Sequence, residues 1–424
     1  MSSEWRCGKL GDFIELKRGY DLPKTKRASG PYPLVSSSGV SDCHSEPMVR
    51  GPGVVTGRYG TIGQVYFVDD DFWPLNTTLY VRDFKGNDPR FISYFLTTVD
   101  FFVYSDKAAV PGVNRNHLHE ALVEIPDLTT QQEIAKSLGA LDDRIALLRQ
   151  TNTTLEAIAQ ALFKSWFVDF DPVRAKQKGR EPEGMDAATA ALFPDSFEES
   201  ELGLVPKGWE VTTIKNLTTK IGSGATPRGG REVYLDEGVA LIRSQNVYDS
   251  EFVWAGLARI SDEAATQLSG VEVKQHDVLL NITGASILRT CVVNPDALPA
   301  RVNQHVAIIR AKPGISARYI HLHLLQQKTK NYLMALNSGA SREAITKSHI
   351  EHLPILNPGL ALLTCFQEVV APVYAKAEQT AAQSQTLATL RDTLLPRLIS
   401  GQLRLPEVEA MLKDSCDADT VFGQ

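Results

Sequence analysis

Two stretches of this chain are copies of one pattern, and that duplication limits the fold more than any single motif does. Trp5-Arg6-Cys7-Gly8-Lys9-Leu10 is echoed by Trp209-Glu210-Val211-Thr212-Thr213-Ile214. Pro33-Leu34-Val35-Ser36 answers Ala240-Leu241-Ile242-Arg243, and Trp73-Pro74-Leu75-Asn76-Thr77 answers Ala300-Arg301-Val302-Asn303-Gln304. Arg90-Phe91-Ile92 answers Arg318-Tyr319-Ile320, and Val113-Asn114-Arg115-Asn116-His117-Leu118 answers Ile345-Thr346-Lys347-Ser348-His349-Ile350. After the last match, each copy runs through a short apolar strand to a proline, Pro126 and Pro358. The offset far exceeds the roughly 20–50 residues of a solenoid period, so this is a duplicated domain and not a repeat array. Identity between the copies is low, as expected of one scaffold that reads two different things.

Within each copy, short β-branched and aromatic runs bounded by Gly, Pro and Asn predict a small, irregular β-rich domain; Gly53–Gly57 and Asp277–Asn281 are examples. One helix follows, capped by Asp88 with Pro89 at its first position, or capped by Ser316. A polar, Gly-containing loop comes next, Pro111–Asn116 or Ser338–Arg342.

A long helix follows each domain. Thr130-Gln131-Gln132-Glu133 reads as a capping box opening the first. From there Ile134, Leu138, Leu141, Ile145, Leu148, Asn152, Leu155, Ala159, Leu162 and Trp166 step by four and three, a coiled-coil seam in which Asn152 can fix register. The second helix, from about Leu360 to Leu398, is Ala-rich in its middle and its apolar spacing is imperfect. Two such helices in one chain are expected to pair with each other, antiparallel. The predicted class is therefore α+β, with two similar β-rich domains on an antiparallel two-helix spacer. The predicted boundaries are 1–128 for the first domain, 129–171 for the first spacer helix, and 172–207 for a connector draped over the surface. They continue with 208–358 for the second domain, 359–405 for the second helix and 406–424 for a tail.

Hydrophobic residues make up 43% and charged residues 22%, the balance of a globular chain. The opening MSSEWRCGKL lacks a signal-peptide core, and no uninterrupted apolar run approaches the roughly 18–20 residues that span a bilayer, so a cytoplasmic protein without membrane contact is expected. Five scattered cysteines contain no C-x-x-C pair, which indicates neither a zinc site nor a disulfide framework. A net charge of -6 argues against indiscriminate coating of nucleic acid, but not against a reader that concentrates its positive charge locally.

Catalytic signatures are missing. Asn357-Pro358-Gly359 and Asp171-Pro172-Val173 lack the second proline and the aromatic of a methyltransferase catalytic loop. Gly57-Arg58-Tyr59-Gly60-Thr61-Ile62-Gly63 has no Rossmann-like setting and reads as tight turns, and no P-loop occurs. His117-Leu118-His119 and His321-Leu322-His323 are not equivalent in the duplication, and each reads as alternation along an element's edge, not as a metal site.

The segment Ala161-Leu162-Phe163-Lys164-Ser165-Trp166-Phe167-Val168-Asp169-Phe170-Asp171-Pro172-Val173-Arg174 resembles the central conserved region of type I restriction-modification specificity subunits. The connector, from Glu181-Pro182-Glu183-Gly184-Met185 to Phe193-Pro194-Asp195-Ser196-Phe197, resembles the same family. So do Gln131-Gln132-Glu133-Ile134-Ala135 and the distal Leu394-Leu395-Pro396-Arg397-Leu398-Ile399-Ser400-Gly401. The second helix departs from the pattern: Gln367-Glu368 lacks the paired glutamines of the first. The resemblance implies a non-catalytic DNA-specificity subunit whose two domains each read one half of a split, asymmetric site in double-stranded DNA. It implies two modification subunits that carry S-adenosylmethionine and methylate adenine, and restriction subunits that use ATP and Mg. On that reading this chain itself binds no cofactor and no metal.

Base readers must be side chains that reach base edges: Arg to guanine, Asn or Gln to adenine, Ser or Thr to several partners. The candidates in the first domain are Lys17, Arg18, Lys24, Lys26, Arg27, Ser36, Ser37, Ser38, Arg58, Asn76, Thr77, Asn114 and Arg115. In the second they are Ser223, Thr226, Arg228, Arg231, Arg243, Gln245, Asn246, Asn281, Asn303, Gln304, Ser341 and Arg342. Asn76 and Asn303 equally suit backbone capping in turns. Phe163, Trp166, Phe167 and Phe170 form more aromatic surface than one Ala-rich helix covers, which predicts that this end of the spacer docks a modification subunit. Two other classes stay open: an autonomous DNA-modifying enzyme, and a duplicated protein-binding scaffold without DNA contact.

Overall fold

The computed structural model describes residues 5–106, 112–337 and 344–403. It divides into two compact units, Met1–Gln150 with Thr380–Gln424, and Thr151–Gln379. The division cuts both long helices, Leu128–Phe167 and Leu360–Ile399, so each unit holds one β-rich head and half of each helix. The α+β class is as expected.

In the first unit a four-stranded antiparallel sheet runs in the order Glu15–Arg18, Thr78–Asp83, Gly53–Gly57, Val65–Val68. Beside it Gly39–His44, Tyr32–Ser36 and Trp73–Pro74 form a second sheet whose last pair is parallel. The strand Gly53–Gly57 is buried throughout, which explains its continuous apolar run. The second unit repeats this frame. Its four-stranded sheet runs Thr218–Ser223, Val306–Ala311, Val278–Asn281, Thr290–Val292. Its other sheet grows to five strands around the parallel pair Val239–Ile242 and Ala300–Val302. A ladder between Arg6–Lys9 and Leu122–Ile125 closes the first head, and one between Glu210–Thr213 and Pro354–Asn357 closes the second.

The backbone corrects one sequence match by a residue. Leu75 N–H donates to Val35 and Asn303 N–H to Ile242, while Tyr20 N–H donates to Pro74 and Ala225 N–H to Val302. Trp73 therefore corresponds to Arg301, not Ala300, and Asn76 corresponds to Gln304.

The head helices begin where the caps predict. Asp88 accepts from Phe91 N–H at the start of Pro89–Thr97, and Ser316 accepts from Tyr319 N–H at the start of Ala317–Leu325. In each unit the second residue after the cap is an arginine that grips a spacer helix. Arg90 pairs with Asp143 at 2.5 Å, and Arg318 pairs with Glu378 at 3.0 Å while its guanidinium lies 3.8 Å from the Tyr374 ring centroid. The second head adds a further helix, Gln327–Asn337.

The first long helix starts at Leu128, earlier than the capping box predicted. Asp127 caps it, accepting from Thr130 N–H and Oγ at 3.1 Å each. Gln131 is fully buried and serves as a peg. Its amide donates to Asn87 Oδ1 and the Pro126 carbonyl, and its Oε1 accepts from the Asp88 N–H. In the second unit Gln367 accepts from the Oγ of Ser316, so a single glutamine performs a similar duty there.

In the first unit Ile134, Leu138 and Leu141 share a core with Leu394, Leu398 and Ile399. In the second, Ala159, Phe163 and Trp166 share one with Leu362, Phe366 and Val370. The N-terminal half of one helix thus packs on the C-terminal half of the other in both units, so the pair is antiparallel. The second helix keeps the heptad period once its polar members are counted: Thr380 and Ser384 are buried at seam positions between Ala377 and Leu387. Arg391, also at a seam position, reaches Asp142 at 2.7 Å, and Asp142 accepts from Tyr94 Oη. This helix carries an 18-residue window of mean hydropathy 1.2, long and apolar enough by those measures to cross a bilayer. Its buried residues instead pack on the first helix and the heads.

The connector is folded and not merely draped. It forms the helices Asp171–Gln177 and Ala187–Ala191 and the hairpin Phe197–Ser200 with Gly203–Pro206. Val173, Phe193 and Val205 are buried in the core of the second unit.

Candidate nucleic-acid interface

In the first head the loops at the carboxyl ends of the parallel pair surround a cleft of about 470 Å³. It gathers six of the predicted residues: Arg27, Ser36, Ser37, Ser38, Asn76 and Thr77. Asp21, which sequence reasoning treated only as a dilution of positive charge, lines the same cleft and accepts a hydrogen bond from Asn76 Nδ2. Ser36 Oγ lies 3.0 Å from Ser38 Oγ, and Ser37 lends its carbonyl to the Thr61 hydroxyl. Arg27 Nε and Thr77 Oγ1 are buried without a partner among the described residues. Each is a polar group whose burial costs free energy until something donates or accepts there.

The other basic candidates of this head do not line the cleft itself. Arg58 N–H donates to the Thr77 carbonyl, and its guanidinium stacks 4.6 Å from the exposed Tyr59 ring. Lys24 and Lys26 stand exposed on a single 3₁₀ turn. Arg18 is paired with Asp21 at 3.0 Å, and Lys17 lies over the Tyr20 ring. The glycine-rich run is a set of turns, with Gly60 and Gly63 both at φ 81°. Asn114 caps the helix Arg115–His119 by accepting from Asn116 N–H, which leaves Arg115 exposed beside it.

The second head presents a matching face. Thr226 and Gln304 are exposed and hydrogen-bonded to each other. The Gln304 amide also meets His305 Nε2 at 3.1 Å, and His305 Nδ1 meets Thr283 Oγ1 at 2.6 Å. Arg243 and Gln245 both donate to the Gly256 carbonyl, at 2.6 and 3.0 Å. Ser223 and Arg228 are exposed, and Arg231 lies in the short turn Gly230–Val233. Ser341 and Arg342 lie outside the described residues.

Three predicted readers are structural instead. Asn246 is fully buried, donating to the Val253 carbonyl and accepting from Arg243 N–H. Asn281, also fully buried, donates to the carbonyls of Ser244 and Val247. Asn303 turns its Oδ1 back to His305 N–H. In each case a short amide satisfies backbone groups that a strand end leaves open.

The aromatic patch is also corrected. Phe163, Trp166, Phe167 and Phe170 are at most 8% exposed. Their rings pack on Tyr319, Phe366, Phe193 and Trp209, for example Phe167 on Tyr319 at 4.9 Å and Trp166 on Phe193 at 5.2 Å. The head and the folded connector supply the cover that the Ala-rich helix does not, so no uncovered aromatic surface remains there for a partner.

Neither histidine pair forms a shared site: His117 is exposed and His119 half-buried, whereas His321 is fully buried. His119 Nε2 accepts from Leu16 N–H, and its pKa is lowered by burial and by Arg115. Burial brings His321 down to about 3 and His323 to about 4, so both stay neutral. Among the described residues no group of three or more His, Cys, Asp or Glu side chains is placed to hold a metal ion.

Two copies of one scaffold on an antiparallel helix pair, each with polar turns at the end of its parallel strands, define a duplicated recognition protein. The family described as the type I restriction modification DNA specificity domain matches residues 2–157. The HindI specificity subunit of Haemophilus influenzae is 28% identical over 80% of this chain and 84% of its own. The MjaIX specificity subunit of Methanocaldococcus jannaschii is 24% identical over 88% and 82%. The fold is shared with the crystal structure of a type I S subunit from M. genitalium, at TM-score 0.57 and 15% identity, covering 94% of this chain and 96% of that one. Over most of its length the chain is similar to the specificity subunits of type I restriction-modification systems, and residues 2–157 match their DNA specificity domain. That likeness supports a DNA-specificity subunit of such a system, non-catalytic by family.

Proposed function

We propose that the head within 1–128 and the head within 208–358 each read one half of a bipartite, asymmetric site in double-stranded DNA, working in the cytoplasm. The helices within 129–171 and 359–405 set the distance between the two halves. Two modification subunits, which bring S-adenosylmethionine and methylate adenine, and restriction subunits, which bring ATP and Mg chemistry, assemble on this chain.

The observation that carries this reading is that one backbone frame recurs in both heads while the side chains on its turns differ. A shared frame presents a base edge at the same place in each head, and different turns read different bases.

The test is an exchange of residues 1–128 for those of a relative in the assembled complex, with methylated adenines mapped by sequencing. One half-site should change and the other should stay. If both halves change together, the division of labour is wrong.

A further inference from the structure

The corrected register places an amide held by a neighbouring side chain at the same point of both heads. Asp21 follows the first strand of one head and binds Asn76, and Thr226 follows the equivalent strand of the other and binds Gln304. Both amides sit in the turn just past the shorter strand of the parallel pair, Trp73–Pro74 or Ala300–Val302. The partner residue differs between the copies, but its duty of clamping an amide does not.

We infer that Asn76 and Gln304 are the equivalent base-reading positions of the two heads and that each recognises an adenine in the major groove. The inference rests on the proposed reading of half-sites by separate heads. Adenine presents an acceptor at N7 beside a donor at N6, the complement of a carboxamide's N–H and C=O. Asp21 engages one hydrogen of the Asn76 amide, which leaves its second N–H and its Oδ1 for a base. Thr226 engages the Gln304 carbonyl oxygen, which keeps a second lone pair, and the amide group keeps an N–H beyond its His305 contact. A clamped amide has lost its flip freedom before DNA arrives, so less ordering remains to be done on binding. In the first head the unpartnered Thr77 Oγ1 lies in the same cleft, beside the amide.

The experiment uses the complex assembled with its modification subunits and a duplex pool randomised across the wild-type site. With Asn76→Ala, one A·T position of one half-site should lose its preference and affinity for the parent site should fall about ten- to hundred-fold. The other half-site should remain fully selected, which also shows that the variant has folded and assembled. Gln304→Ala should do the same in the opposite half-site. Asp21→Asn should weaken selection at the Asn76 position without moving it to another. If both alanine variants select the parent site at every position, the inference is overturned while half-site reading stands. Relaxation at a G·C position overturns the assignment to adenine. If exchange of the whole first head also leaves both half-sites unchanged, the underlying reading has failed as well.

Discussion

Gly19 and Gly224 stand at the same point of the two heads, each pressed against a pair of carbonyl oxygens. Gly19 N–H donates to Thr78 at 3.1 Å and Gly224 N–H to Val306 at 3.0 Å. A Cβ on Gly19 would run into the oxygens of Leu75 and Pro74, and one on Gly224 into those of Val302 and Asn303. The flanking residues, Arg18 and Tyr20 in one head and Ser223 and Ala225 in the other, have nothing in common. The close approach holds each recognition turn against the first strand, and with it Asn76 or Gln304.

Alanine at either glycine should therefore cost about 1–3 kcal/mol, because backbone has to move to admit a methyl group. Calorimetry of the chain should show a lowered melting temperature for Gly19→Ala and for Gly224→Ala. An unchanged melt for both would mean that the turns relax freely, and the shared constraint would lose its meaning.

Trp166→Ala should destabilise the chain on its own, with no partner present. The ring is 4% exposed and packs on Phe167, Phe193 and Phe366, so its removal leaves a cavity worth about 3–5 kcal/mol. The measurement is thermal unfolding of the purified chain. Wild-type melting combined with lost co-purification of modification subunits would show that Trp166 is a contact surface after all.

Glu156 supplies a pH-dependent test. Burial, with Glu251 and Asp249 nearby, outweighs Arg318 and raises its carboxyl to about 7. The folded form then holds a proton that the unfolded chain has released, so stability should fall as pH rises from the ordinary carboxylate range to about 7 and level off above it. Glu156→Gln lacks this loss. Relative to wild type its melting temperature should be higher at pH 8 than at pH 5, and a difference that does not move with pH would rule the shift out.

The caps and seams were legible because they report local geometry. Asp88 and Ser316 cap the helices they were expected to cap, and along the run from Ile134 to Trp166 every predicted seam residue is buried except Asn152, Leu155 and Leu162, which are half-buried. The second helix was harder to read because Thr380, Ser384 and Arg391 occupy seam positions, and a hydrophobicity count overlooks polar residues that are buried with partners. Of the predicted readers, Arg27, Ser36 to Ser38, Asn76 and Thr77 do meet in one cleft, whereas Asn246 and Asn281 turned inward. Residue type alone does not separate the two, since an amide serves a base edge and a strand end equally well.

By itself the sequence determined that there are two copies of one β-rich frame, that two long helices accompany them, and where the head helices are capped. These follow from period, punctuation and repetition, which act over a few residues or compare one stretch with another. Only the tertiary structure decided that Phe163, Trp166, Phe167 and Phe170 are core, that the connector folds over them, and that Asn76 corresponds to Gln304 and not to Asn303. Those outcomes depend on which distant segment covers a side chain and which carbonyl a strand meets. Contacts between segments far apart in the chain settle both, and local pattern does not record them.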